Sequence, residues 1–192
     1  MRKGLLIIMS GPSGVGKGTV RRKIMEDESL NLAYSISMTT RKPRNGEIDG
    51  KDYFFVDRKE FEENIKRDNF LEHAEFVGNC YGTPRDYVES LREQGKNVIL
   101  EIEVNGTKQV LSKCKGDDVF SIFLVPPSLS ELELRIRNRK SEPDEIIQER
   151  LEKARREIGL KDHYDYVVLN DEVDRAAKEI CSIIRKRIAE NK

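Results

Sequence analysis

Residues 5–19 read Leu5-Leu6-Ile7-Ile8-Met9-Ser10-Gly11-Pro12-Ser13-Gly14-Val15-Gly16-Lys17-Gly18-Thr19. Leu5 to Met9 is apolar without a break, the pattern of a strand covered on both faces in a parallel sheet. Gly11 to Lys17 keeps the G-x-x-x-x-G-K spacing of a phosphate-binding loop, and Val20 and Ile24 follow at i, i+4 spacing among Arg21, Arg22 and Lys23, as on an amphipathic helix. Strand, loop and helix are contiguous, the context in which this spacing binds phosphate. The curled backbone points successive N–H groups at phosphate oxygens, and the Lys17 ammonium reaches the β- and γ-phosphates of a bound nucleotide. The predicted nucleotide-binding residues, those that would hold ATP if it is the donor, are therefore Gly11, Pro12, Ser13, Gly14, Val15, Gly16, Lys17, Gly18 and Thr19. The hydroxyl residue that usually follows the lysine is replaced by Gly18, which leaves Thr19 as the nearest hydroxyl for a magnesium ion.

Outward from this loop, apolar runs at Val98-Ile99-Leu100, Val119 to Val125 and Tyr166 to Leu169 alternate with helical patterns, which predicts an α/β fold with a parallel sheet flanked by helices. Thr83-Pro84 reads as a helix start and Gly95 as its end; Ser128 reads as the cap of a helix reaching about Arg137. Ile146, Ile147, Leu151, Ala154 and Ile158 form an apolar stripe, and Asp171 reads as the cap of the terminal helix. Residues 34–90 break the rhythm with threonine, arginine and glycine clusters and short aromatic strand candidates such as Tyr53-Phe54-Phe55. The expected organisation is one domain over 1–192, with a core at about 1–33, 95–126 and 160–192, an inserted lobe at about 34–90 and a lid at about 127–155.

Composition narrows the function. The chain has 192 residues, and 35 Lys and Arg balance 35 Asp and Glu, so no global field draws it to nucleic acid or an anionic membrane and any anion site must be local. Leu5 to Met9 is too short to cross a bilayer and the amino terminus lacks a signal-peptide pattern, so the expected location is the cytoplasm. Cys80, Cys114 and Cys181 form no C-x-x-C pair and read as reduced thiols; His73 and His163 have no zinc-like spacing.

A phosphate loop fits many enzymes, so the acceptor must be read from the inserted lobe. Ser37-Met38-Thr39-Thr40-Arg41-Lys42-Pro43-Arg44 is followed by Glu47 and Gly50-Lys51-Asp52-Tyr53-Phe54-Phe55. Two planar guanidinium forks suit a dianionic phosphate monoester, which makes Arg41 and Arg44 the candidate clamp. The run resembles the guanylate kinase signature S-x-T-T-R-x-P-R-x-x-E-x-x-G-x-D-Y-x-F. Phe70-Leu71-Glu72-His73-Ala74 and Asn79-Cys80-Tyr81-Gly82-Thr83 likewise resemble that family's F-x-E-x-A and N-x-Y-G-[ST] segments. The resemblance covers nearly the whole chain from about Gly4. It implies an ATP- and Mg2+-dependent phosphorylation of GMP, with dGMP as a further acceptor, by a monomer or homodimer.

The resemblance also implies a GMP site of Ser37, Arg41, Arg44, Glu47, Tyr53, Glu72, Tyr81, Thr83 and Glu103. Tyr53 and Tyr81 would donate to the phosphate, Ser37 would contact the base, and Glu72 would accept from guanine. A carboxylate is the physically apt reader, because guanine offers N1–H and an exocyclic NH2 on one edge where adenine offers an acceptor. Glu101 and Glu103 sit two apart at the end of a predicted strand, where ligands of open α/β sheets bind; Glu101 is the acid nearer the metal, through water. Lys17, Arg41 and the lid arginines Arg135, Arg139 and Arg150 are the predicted catalytic cations, with Arg137 facing solvent. The family's R-G-T after the lid helix is replaced by Arg139-Lys140-Ser141. Asn170 reads equally as an adenine contact or as a helix cap. Two alternatives share part of the motif set: a non-catalytic guanylate kinase-like module that binds phosphorylated peptides, and a kinase of another nucleoside monophosphate. The intact Gly16-Lys17 argues against the first and Glu72 with Ser37 against the second.

Overall fold

The structure, a computed structural model, describes residues 2–138 and 143–191. Strands β1 (Leu6–Ser10), β2 (Leu32–Tyr34), β7 (Asn97–Glu101), β8 (Val119–Val125) and β9 (Tyr166–Leu169) form a parallel sheet in the order β2-β7-β1-β8-β9. Around it lie α1 (Lys17–Ile24), α3 (Arg85–Glu93), α4 (Val104–Lys113) and α7 (Val173–Glu190). The central position of β1 follows from its unbroken apolar run. Leu5, Ile7 and Met9 face one core with Val20, Ile24, Ala176, Ile180 and Ile184; Leu6 and Ile8 face the other with Val88, Val98, Leu100 and Val110. The period-two alternation of a strand thus fills both faces, each buried Leu or Ile contributing roughly 1.5–3 kcal/mol of hydrophobic free energy.

A second sheet, in the order β4-β3-β6-β5, is built from β3 (Met38–Thr39), β4 (Phe54–Phe55), β5 (Phe70–Phe76) and β6 (Asn79–Pro84), and α2 (Arg58–Lys66) packs on it. Phe61 of α2 stacks on Phe70 at 4.6 Å between ring centroids, with Cys80 in the same cluster. This lobe is pinned to the core where Gln109 of α4 grips the His73 backbone, accepting from its N–H at 3.1 Å and donating to its carbonyl at 3.0 Å. The remaining helices, α5 (Leu129–Arg137) and α6 (Asp144–Ile158), pack on each other through Leu132, Ile136, Ile147, Leu151 and Ala154. Ser128 caps α5 by accepting from Glu131 N–H at 3.0 Å. Ile146, expected in the apolar stripe, is 40% exposed.

Three local expectations change. Thr83 does not cap α3: cross-strand pairing with Glu72 draws it into β6, and Pro84 becomes the residue before the helix. Asp171 does not cap α7 either, because its carboxylate accepts from Glu172 N–H and Arg175 Nε, and Glu172 stands at the cap position. Finally, β7 ends at Glu101, and Glu103 precedes α4 as its cap residue, so the two acids flank a strand-to-helix turn and do not both lie at the end of the strand.

Candidate active site

A cleft of about 320 Å³ opens at the carboxyl end of β1 and β7, lined by Ser13, Gly16, Lys17, Thr19, Glu101 and Glu103 among others. Gly16 adopts φ 101°, and a Cβ there would stand 2.7 Å from Asn170 Nδ2, so both the left-handed backbone and the close approach demand glycine. The Lys17 ammonium bridges the loop, donating to the Gly11 carbonyl at 2.6 Å and the Pro12 carbonyl at 3.2 Å. Burial holds its pKa below the usual lysine value, an effect opposed by the carboxylates of Glu101, Glu157 and Glu103.

Beside the loop, Glu101 Oε2 accepts from Arg21 Nε at 2.8 Å, and the Arg21 guanidinium lies 3.9 Å from the centroid of the Tyr34 ring. Burial pushes the Tyr34 phenol up to about 12. Glu101 Oε1 lies 3.5 Å from the point where a side chain at Gly18 would begin, so the absent hydroxyl leaves space that a carboxylate oxygen borders. An anionic oxygen donor next to a phosphate loop suits a hydrated hard divalent cation. Thr19, exposed, accepts from Arg22 at 3.2 Å.

On the inserted lobe, Arg41 forms a fork-to-fork pair with Glu47, both N···O distances being 2.9 Å, and Glu47 also accepts from the Arg44 N–H at 2.7 Å. The Glu47 hydrogen bonds hold the Arg41 pKa above its usual value, and the Arg41 guanidinium holds Glu47 below the carboxylate range. Glu47 therefore organises the loop that carries both arginines. Tyr53 and Tyr81 stand edge to face at 6.3 Å, with the Arg41 guanidinium 5.2 Å from the Tyr53 ring centroid. The Arg44 side chain is exposed, and the Ser37 carbonyl accepts from Phe54 N–H at 2.9 Å.

Glu72 is 9% exposed, and its Oε1 accepts from the Thr83 hydroxyl at 2.6 Å. Burial raises its pKa, the Thr83 bond opposes that rise, and the nearby Glu103 charge adds to it. Its other oxygen, Oε2, lies 2.9 Å from the place a Cβ on Gly106 would occupy, so α4 approaches the carboxylate with a bare backbone. The structure thus brings Glu72, Thr83 and Glu103 into one neighbourhood, with Glu103 at the edge of the cleft.

The α5–α6 pair closes over the phosphate loop. Arg135 donates to the Asn170 carbonyl at 3.0 Å and the Val15 carbonyl at 3.4 Å, and Arg150 donates to Ser13 Oγ at 2.7 Å. Arg137 bridges Glu133 and Asp144 and so joins the two helices rather than facing solvent alone. Arg139 lies outside the described residues. Asn170 is buried and donates from Nδ2 to the Val15 carbonyl at 2.7 Å, which makes it a buttress of the loop, and Glu172, not Asn170, stands at the cap position of α7. Sequence reasoning passed over Arg21, Tyr34, Lys153 and Glu157. Lys153 and Glu157 carried a faint signal, since with Arg150 they recur at i, i+3, i+7 on one helix face.

This geometry has close counterparts. The guanylate kinase family model matches residues 3–187. The chain belongs to the guanylate kinase family. It is 55% identical to the guanylate kinase of Bacillus cereus over 98% of this chain and 94% of that one, and 55% identical to that of Mycoplasma capricolum over 96% of this chain and 61% of that longer relative. The crystal structure of guanylate kinase from Anaplasma phagocytophilum superposes with a TM-score of 0.74 at 36% identity, covering 96% of this chain and 86% of that one. The parallel sheet flanked by helices is accordingly the fold of this family, as the sequence predicts. Among the described residues no helix is long and apolar enough to cross a membrane.

Proposed function

We propose that this member of the guanylate kinase family transfers the γ-phosphoryl group of ATP to GMP, giving ADP and GDP. The observation that carries the acceptor assignment is Glu72: a buried carboxylate, fixed by the Thr83 hydroxyl, with a pKa raised by burial. Such a group gains most from a ligand edge offering two adjacent donors, as guanine does, and is left unpaired by adenine.

In the proposed reaction a GMP phosphate oxygen attacks the γ-phosphorus in line; one P–O bond forms as the bond to the bridging β–γ oxygen breaks, and the negative charge passes to ADP. The acceptor phosphate is largely dianionic at neutral pH, so no general base is required, and positioning and charge neutralisation do the work. Lys17 supports the β- and γ-phosphates. Arg41 and Arg44, set by Glu47, receive the acceptor phosphate, with Tyr53 and Tyr81 at hand. Arg135 and Arg150 bring positive charge from the lid to the loop, and Arg139 is assigned to the same group by its place in the sequence. Glu101 with Thr19 would hold the waters of a Mg2+ ion, which would supply charge neutralisation on the donor side. Asn170 is assigned to the adenine side of the donor pocket, and dGMP is expected as a second acceptor.

Coupled ADP production with Mg-ATP against GMP, AMP, CMP and UMP in parallel tests the proposal. Turnover confined to the guanine nucleotide is the expected result. Preference for another base would overturn the acceptor assignment, and no turnover with any of them would favour a non-catalytic binding module.

A further inference from the structure

One face of α6 reaches both sides of the cleft. Arg150 meets the phosphate loop at Ser13. Three residues on, Lys153 Nζ lies 2.8 Å from Glu103 Oε2 and 3.7 Å from Glu157 Oε1. Glu103 is the cap residue of α4, and α4 is the helix that presents Gly106 to the Glu72 carboxylate. Glu157 is 9% exposed, pairs with the Lys153 ammonium, and burial raises its pKa. The lysine is therefore held between a buried carboxylate of its own helix and a carboxylate of the acceptor wall, 50 residues away in sequence.

We propose that Lys153 is a positioning residue for the acceptor: by bridging the lid helix to Glu103, it couples docking of the lid to the wall that supports the base-reading Glu72. The inference rests on the GMP kinase reading given above. Its physical content is a division within one helix. Arg150 ties α6 to the donor loop, whereas Lys153 ties it to the start of α4, so the lid settles on the donor side alone unless the second contact forms. Removing the ammonium leaves Glu103 without its partner beside Glu72, and like charge near a buried carboxylate opposes the ionised form that guanine needs. Because the pair is half exposed, the effect should be modest and confined to the acceptor.

The test is steady-state kinetics of the full-length protein carrying Lys153→Met, with Lys153→Arg and Glu103→Gln for comparison. Lys153→Met should raise KM for GMP about three- to tenfold while leaving KM for ATP and kcat within about twofold. Lys153→Arg should restore KM for GMP, and Lys153→Met should add little on a Glu103→Gln background. An unchanged KM for GMP, an equal rise for ATP, a loss in kcat alone, failure of arginine to rescue, or full additivity with Glu103→Gln would each overturn the coupling. Wild-type protein is the control on the underlying reading: if it does not turn over GMP, the kinase assignment and this inference fall together. If it does while Lys153→Met is silent, only the inference falls.

Discussion

The proposed donor and acceptor walls of the site are made of different materials. The donor wall is a backbone structure: a loop between β1 and α1 whose shape depends on Gly16 at φ 101°, braced from behind by Asn170 and Arg135 through carbonyl hydrogen bonds. The acceptor wall is a side-chain structure, in which Glu47 sets Arg41 and Arg44 and Thr83 sets Glu72. A backbone cradle recognises phosphate, which every nucleotide offers, while side chains on a separate sheet can be chosen to read one base. The contrast explains why the phosphate loop alone left the function open and the inserted lobe narrowed it.

Substitutions can break this comparison in a graded order. The largest effect belongs to Lys17→Ala, which removes the ammonium carried by the phosphate loop itself; kcat should fall on the order of a thousandfold or more in the coupled assay. Glu72→Gln comes next. The ratio of kcat/KM for GMP to that for AMP should fall on the order of a hundredfold, because a site built around paired polar groups loses discrimination when one changes character. Glu47→Gln should raise KM for GMP about tenfold with little change in kcat, as the bidentate hold on Arg41 is lost while the arginine itself remains.

The smallest effect sharpens the comparison on the side of stability. Burial raises the Glu72 pKa, so the folded state binds that proton more tightly than the unfolded chain does. Stability is then greatest below the unfolded carboxylate pKa, near 4.3, and is lost as pH rises through the higher folded value. Glu72→Gln removes that loss. Its Tm at neutral pH should match or exceed the wild type by a few degrees, where about 2–4 °C corresponds to one kcal/mol for a domain of this size. The difference should shrink as pH falls towards the unfolded value, which thermal melts across pH would measure.

Much of the donor wall was legible because it depends on local sequence. An unbroken apolar run, a spaced set of glycines and a lysine specify strand, loop and helix within twenty residues. The short strand at Phe54–Phe55 and the helix from Ser128 were readable for the same reason, through aromatic pairing and a cap. The acceptor wall was nominated by resemblance, while its internal bracing was not visible. That Glu47 grips Arg41 follows from a loop closing on itself, and that Gly106 makes room for Glu72 follows from α4 packing against β5. Thr83 was misplaced as a cap because cross-strand pairing overrode a local start signal. Asn170 kept two readings because its real partner, the Val15 carbonyl, is 155 residues distant.

The division of labour between the walls is tested most directly by calorimetric titration of GMP, without ATP, into Lys17→Ala and Glu72→Gln side by side. Lys17→Ala should bind GMP as the wild type does, and Glu72→Gln should lose most of that binding. Loss of GMP binding in Lys17→Ala, or its retention in Glu72→Gln, would refute the separation of donor and acceptor walls.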